Sequence, residues 1–169
     1  MTFLEYWDGT AWSIVPSPAT TGEPELIGVS CSSATNCNAT GAQVSDTGAE
    51  TPLAEHWNGV IWSVVAAPPP PGAAESSLAG IACRSSASCY AVGGYATATA
   101  AAKTLVEHWN GATWTIVTSA TPAGALPASV NADFATGLNG VSCPTPTSCI
   151  AVGVYNTLDG YFTLTERGV

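Results

Sequence analysis

The hexapeptide Trp57-Asn58-Gly59-Val60-Ile61-Trp62 has two relatives in the same chain, Trp7-Asp8-Gly9-Thr10-Ala11-Trp12 and Trp109-Asn110-Gly111-Ala112-Thr113-Trp114. The first tryptophans are separated by 57 minus 7, or 50, residues and by 109 minus 57, or 52, residues. Asp-Gly and Asn-Gly favour tight hairpin turns because both residues tolerate positive φ. A period near 50 is typical of propeller blades rather than of helical solenoids.

A second repeated segment contains the cysteines. One copy begins with Leu78-Ala79-Gly80-Ile81-Ala82-Cys83. Cys89 lies six positions after Cys83, and an apolar stretch that ends in Gly93 follows it. The related segments begin at Leu26 and Leu138. Together with the hexapeptide, this segment divides each repeat into four short strands.

Proline-rich segments follow the fourth strand of each repeat, at Pro16 to Pro24, Pro68 to Pro71 and Pro122 to Pro127. Proline cannot donate to a sheet ladder, so we expect linkers there. The chain is therefore predicted to be all-β, a partial β-propeller of about three four-stranded antiparallel blades. The expected units are a half blade with strands three and four plus linker (1–25), two full blades plus linkers (26–77 and 78–137) and an incomplete blade with strands one to three (138–169).

Two cysteines six positions apart at facing ends of a hairpin can come within bridging distance. We expect the disulfides Cys31–Cys37, Cys83–Cys89 and Cys143–Cys149. The alternative is a metal site in which the thiolates are joined by His56 or His108. The spacing is wider than the two to four residues usual in zinc sites, so no metal ligand and no cofactor is predicted.

The segment Tyr90-Ala91-Val92-Gly93-Gly94-Tyr95, followed later by Trp114 at the start of a fourth strand, resembles the kelch repeat of β-propellers. In that repeat a glycine pair closes strand two and a tryptophan opens strand four. The Trp-Asn-Gly-x-x-Trp turn is similar to the Asp-box hairpins of bacterial propellers. These resemblances imply a propeller fold.

Charge and cysteine content restrict the partners and the compartment. Three basic residues against twelve acidic ones give a net charge of -9, which repels nucleic acid and anionic membrane surfaces alike. Six cysteines in evenly spaced pairs indicate an oxidising compartment. We therefore expect an extracellular or cell-surface protein whose export signal lies upstream of this sequence.

Glu55-His56 and Glu107-His108 are the most suggestive pairs for acid–base chemistry. Neighbouring residues of a strand point to opposite faces, so the two members of a pair cannot converge on one substrate atom. Because a glutamate recurs once per repeat, we interpret it as a hydrogen-bonding position within or between blades. The paired tryptophans are interpreted as packing between blades. These structural positions are Trp7, Trp12, Trp57, Trp62, Trp109 and Trp114.

The sequence contains no catalytic motif apart from the repeated positions. The predicted function is therefore non-enzymatic: an extracellular module that binds a glycan or a protein through loops. Aromatic rings in the variable region are candidate contacts, namely Tyr90, Tyr95, Tyr155 and Tyr161. One alternative is an accessory or partial catalytic propeller of a glycoside-active enzyme that uses Asp46, Asp133 and Asp159. Another is a purely structural surface repeat. The chain is expected to be part of a longer array or one half of a homodimer that closes a six-bladed ring.

Overall fold

The computed structural model describes residues 2–46, 48–98, 102–126, 136–145 and 148–168. Within these ranges the chain is all-β, as predicted, with thirteen strands and no helix, and hence no helix that could cross a membrane. The strands are β1 (Leu4–Trp7), β2 (Trp12–Val15), β3 (Glu23–Ser33), β4 (Asn36–Val44), β5 (Glu50–Trp57), β6 (Trp62–Val65), β7 (Ala73–Ser85), β8 (Ser88–Thr97), β9 (Lys103–Trp109), β10 (Trp114–Val117), β11 (Gly137–Thr145), β12 (Ser148–Thr157) and β13 (Gly160–Gly168).

The described strands form four antiparallel sheets in which neighbours in the chain are neighbours in the sheet. We number them in chain order: the first sheet is β1–β2, the second β3 to β6, the third β7 to β10 and the fourth β11 to β13. None of these four sheets closes on itself. Each is a simple meander, the arrangement that short hairpin turns in the sequence favour.

The tryptophan hexapeptides form the hairpins that join third and fourth strands. Gly59 has a φ of 94°, and the Asn58 side-chain oxygen accepts the N–H groups of Val60 and Ile61 at 2.9 and 3.0 Å. The indoles of Trp57 and Trp62 then face each other across the strands with ring centroids 5.8 Å apart. The same turn forms in the other two copies, so the motif fixes the register of three hairpins.

Two first strands begin earlier than predicted. β7 begins at Ala73 rather than at Leu78. β3 begins at Glu23, so Pro24 lies inside a strand rather than in the linker. Pro24 pairs with Gln43, and β3 is an edge strand of its sheet. A proline is tolerated there because the N–H that it lacks can face away from the ladder.

Successive sheets pack face to face, and their contacts are richest at the first strand of the following sheet: β7 contacts β3, β4 and β5, and β11 contacts β7, β8 and β9. We call the face toward the preceding sheet the leading face and the opposite one the trailing face. A Cβ at Gly28 would lie 3.1 Å from the Ala79 carbonyl oxygen, and one at Gly80 would lie 2.8 Å from that of Asn139. The repeated glycine of the first strand is therefore what lets adjacent sheets approach closely.

Candidate functional site

The three predicted disulfides are present: Cys31–Cys37, Cys83–Cys89 and Cys143–Cys149. In the first two, the bonded residues are direct partners across the hairpin. Because all six sulfurs are bonded, the thiolate metal site weighed above does not form. The described residues also contain no group of three His, Cys, Asp or Glu side chains that could hold a metal ion. Disulfide-bonded pairs of this kind are typical of secreted or extracellular proteins.

The Glu55-His56 pair is divided between two faces, as predicted. Glu55 is fully buried on the leading face, where its Oε1 accepts a hydrogen bond from the Thr2 hydroxyl at 3.0 Å. His56 points the other way, and its ring centroid lies 5.5 Å from that of Trp109 in the third sheet. Burial lowers the pKa of His56, which favours the neutral ring in this contact. The two side chains cannot act on one substrate.

Two of the recurring glutamates accept hydrogen bonds from hydroxyl groups that precede them by one sheet. Beside Glu55, the Thr2 and Ser17 hydroxyls are in contact with each other. Between the third and fourth sheets, Ser119 Oγ lies 2.9 Å from Glu166 Oε2 and 2.7 Å from Thr104 Oγ1. Thr2 and Thr104 each precede a hairpin's first tryptophan by five residues, and Ser17 and Ser119 each follow its second by five. In each case one hydroxyl of a threonine–serine pair donates to the glutamate of the next sheet, and the other hydroxyl contacts the first.

Glu107 lacks this arrangement, and the predicted hydrogen bonding is wrong for it. The positions that correspond to the threonine and the serine are Pro52 and Ala67, which have no hydroxyl group. Glu107 is fully buried, and neither carboxyl oxygen has a hydrogen-bond partner. Burial raises its pKa from 4.5 to about 8. This side chain is therefore a neutral acid at pH 7, enclosed between the second and third sheets.

The tryptophan pairs differ strongly in burial. Trp109 and Trp114 are each 3% exposed in the core between the second and third sheets, whereas Trp7 is 46% and Trp12 64% exposed. The Trp109 indole N–H donates to the Ser86 carbonyl at 3.1 Å, which ties the hairpin to the disulfide-closed turn. The interpretation as packing between sheets holds for Trp109 and Trp114. It does not hold for the first pair in this structure.

At the fourth sheet the equivalent space is open. The residue two positions after each recurring glutamate is Trp7, Trp57 or Trp109 in three repeats, but after Glu166 it is Gly168. A Cβ at Gly168 would meet no atom within 4 Å. Gly168 lines a cleft of about 570 Å³ between the third and fourth sheets. The other walls are mainly apolar, formed by Val92, Val106, Val117, Val141, Ala151 and Leu164.

A few polar groups also line this cleft, which we call the Gly168 cleft. Tyr90 forms part of one wall, and its ring packs on His108 with centroids 4.6 Å apart. Ser119 and Glu166 form part of the other. Glu166 Oε2 is occupied by the serine hydroxyl, while Oε1 is buried without a partner. The cleft thus combines mainly apolar walls with several polar side chains, which also include Thr118, Thr121, Thr165 and Arg167.

The four candidate tyrosines do not share one surface. Tyr90 lines the Gly168 cleft, and Tyr95 lines a separate cleft of about 360 Å³ beside Pro70 and Lys103. Tyr155 packs on Phe162 with ring centroids 5.4 Å apart, and Tyr161 is 72% exposed. Of the four, Tyr90 is the one that lines the same cleft as Glu166.

The aspartates of the enzymatic alternative lie in different places. Asp46 is in the turn after β4, and Asp159 is in the turn between β12 and β13. Neither lines the Gly168 cleft. Asp133 lies outside the described residues.

Comparison with family models finds none that matches the chain, and comparison with curated proteins finds no match either. The site is therefore interpreted from its own geometry.

Proposed function

We propose that this chain is a segment of an extracellular β-propeller that binds a protein ligand in the Gly168 cleft and has no catalytic activity of its own. The propeller proposal is supported by the chain-ordered stacking of the sheets and by contacts concentrated at their first strands. Blades around an axis have this arrangement, since their first strands lie closest together. The three disulfides support the extracellular location.

Gly168 carries the proposal for the binding site. In the preceding junction the same repeat position is filled by the indole of Trp109, which is almost completely buried. Glycine at position 168 leaves the matching space open, with Tyr90 and Glu166 in its walls. A concave, mainly apolar space with a few polar groups is the usual form of a ligand site.

The chemistry of the walls favours an aromatic side chain of a protein over a sugar. A sugar ring needs several hydrogen-bonding groups around it, because each buried hydroxyl left without a partner is costly. The surface of the Gly168 cleft is mainly apolar, although Thr118, Thr121, Thr165 and Arg167 also line it. Glu166 lines the cleft, and its carboxyl group can accept an N–H group, as an indole or a backbone amide would provide.

The proposal can be tested by panning the protein against a library of random peptides and measuring the selected peptides by titration calorimetry. We expect enrichment of peptides with a tryptophan or another aromatic residue. Gly168→Trp should fill the cleft and weaken their binding at least about tenfold, or roughly 1.4 kcal/mol. Val60→Trp is the matched control, since it adds an indole at an exposed turn position and should leave binding unchanged.

Three outcomes would contradict the proposal. One is a set of peptides that bind Gly168→Trp as well as they bind the unaltered protein. The second is selective binding to a glycan array without peptide binding, which would favour the glycan hypothesis. The third is hydrolysis of chromogenic glycosides that Asp46→Asn or Asp159→Asn abolishes.

A further inference from the structure

The disulfide of the third sheet is shielded by a side chain of the second sheet and by an indole. The Asn38 amide donates to the sulfurs of Cys89 and Cys83, at 3.3 and 3.8 Å. Asn38 Oδ1 accepts a hydrogen bond from His56 Nδ1 at 3.2 Å, which directs the amide N–H groups toward the sulfurs. Within its own sheet, Cys89 is paired with Trp109 and is 0% exposed. A reagent in solution therefore has no open path to this sulfur.

The disulfide of the fourth sheet lacks both the amide and the indole. The residue in the place of Asn38 is Tyr90, whose ring packs on His108 with centroids 4.6 Å apart. The cross-strand partner of Cys149 is Gly168, which has no side chain. Cys149 is 8% exposed and lines the Gly168 cleft. A small molecule that enters the cleft can thus reach this sulfur by a path that an indole closes in the third sheet.

Two of the three lysine and arginine side chains in the sequence lie at this disulfide-closed hairpin. Arg167 lines the Gly168 cleft. Arg84 donates from Nη1 to the Thr145 carbonyl at 2.7 Å, two residues after Cys143. Positive charge near a sulfur favours the thiolate, both in an incoming thiol and in a cysteine that is released. The surroundings of the fourth sheet's disulfide therefore favour thiolate chemistry in a chain that is otherwise strongly acidic.

We propose that Cys143–Cys149 is a site of thiol–disulfide exchange with a low-molecular-weight thiol that enters the Gly168 cleft. The incoming thiolate forms a bond to Cys149 Sγ, and the bond between Cys149 and Cys143 breaks. Cys143 is partly exposed, so it leaves toward water as a thiolate with the electron pair of the broken bond. The thiol is thereby oxidised to a mixed disulfide with Cys149, and Cys143 is reduced. The reaction uses the same cleft as the proposed peptide site but does not depend on peptide binding.

The test is a reaction of the protein with glutathione, followed by acid quenching, alkylation of free thiols and mass spectrometry of the digested protein. We expect glutathione on Cys149 and the alkyl group on Cys143 in the same molecule. The disulfide of the fourth sheet should react at least about tenfold faster than Cys83–Cys89.

Gly168→Trp tests the path through the cleft. It places an indole beside Cys149, as Trp109 lies beside its own cysteine, and should slow the exchange at least about tenfold. Leu158→Trp is the matched control, since it adds an indole at the 91% exposed tip of the same sheet. It should leave the rate unchanged. Exchange at Cys31–Cys37 is the internal reference, because neither substitution lies in that hairpin.

Three further variants test the causes. Asn38→Leu removes the shielding amide and should speed exchange at Cys83–Cys89. Arg167→Gln should slow exchange in the fourth sheet about two- to fivefold, because the incoming thiolate loses a nearby positive charge. Glu166→Gln removes a carboxyl group from the same cleft and should change the rate in the opposite direction.

The position of glutathione in the unaltered protein tests the proposal whether or not a variant folds, and circular dichroism establishes that each variant does. Glutathione on Cys143 instead of Cys149 overturns the proposal. Equal rates in Gly168→Trp and the unaltered protein, or equal rates at the disulfides of the third and fourth sheets, overturn it as well. Peptide titration without thiol decides the proposed function separately.

Discussion

The junction between the second and third sheets differs from the junction between the third and fourth, although both are made from the same repeat. In the former, the indoles of Trp109 and Trp114 fill the space, and Glu107 is enclosed without a hydrogen-bond partner. In the latter, Gly168 leaves a cleft, and Glu166 is held by a serine hydroxyl. One junction is tightly packed with a neutral acid inside, and the other is open with its acid hydrogen-bonded.

The difference shows how few positions decide the role of a junction. The third sheet places Trp109 and Trp114 in its packed junction, whereas the fourth sheet has Gly168 at the position of Trp109 and three described strands, so a cavity remains there. The exchange of Ser119 for Ala67 in the equivalent linker position removes the hydroxyl group that would meet the glutamate. Strand order is the same in the third and fourth sheets up to the third strand. A repeat fold can therefore provide stability at one junction and a site at the next.

The largest expected effect is that of Trp109→Ala. Removal of a buried indole leaves a cavity, so we expect a loss of about 3–5 kcal/mol in the free energy of unfolding. Trp12→Ala is the matched control in the exposed hairpin and should cost far less, about 1 kcal/mol or below. Urea unfolding followed by circular dichroism measures both. Equal losses in the two variants would mean that the packed junction does not carry the stability assigned to it.

Glu107 should make the protein less stable at alkaline pH. Its pKa is raised to about 8 in the folded state, so the unfolded chain ionises first. Below pH 4.5 its contribution to the free energy of unfolding is complete. As the pH rises through 8 this contribution is lost, by roughly 4 kcal/mol between pH 5 and pH 8. Glu107→Gln keeps a neutral side chain and should remove this loss, as measured by urea midpoints across that pH range.

Glu5→Gln is the control for this pH profile. Glu5 holds the same repeat position in the exposed first hairpin, so the substitution removes the equivalent carboxyl group from a place where it is not buried. It should retain the alkaline loss. If Glu107→Gln and the unaltered protein show the same pH dependence, the carboxyl group is not buried as a neutral acid.

The sequence was sufficient to predict the elements whose cause is local. The Asp-Gly and Asn-Gly turns, the three disulfides and the opposite orientation of Glu55 and His56 all follow from spacing along one hairpin. The separation of Tyr90 from Tyr95 was also readable, because residues five apart on one strand face opposite sides. The β3 boundary was missed because a proline at a sheet edge leaves no local sign that a strand can include it.

Two features that depend on two sheets were not predicted, namely the isolation of Glu107 and the Gly168 cleft. The isolation of Glu107 is caused by Pro52 and Ala67, which lie 55 and 40 residues earlier in the chain. An alignment of the repeats contains that signal, since threonine and serine occupy these positions in the other two copies. The Gly168 cleft could not be predicted, because its prediction requires the position of the Trp109 indole. That position follows only from the packing of neighbouring sheets.

The smallest expected effect is that of Ala67→Ser. This substitution gives the junction between the second and third sheets the serine that Ser119 supplies between the third and fourth. Ser17 and Ser119 at this position both lie beside a glutamate of the next sheet, so the new hydroxyl should donate to Glu107. A hydrogen bond favours the charged form and lowers the pKa of Glu107. We therefore expect a gain of about 1 kcal/mol in the free energy of unfolding at pH 8 and little change at pH 5.

The reciprocal variant Ser119→Ala should lose a similar amount of unfolding free energy at pH 8. Urea midpoints at the two pH values measure both changes, and an Ala67→Ser variant that is equally destabilised at both would show that position 67 does not reach the buried acid.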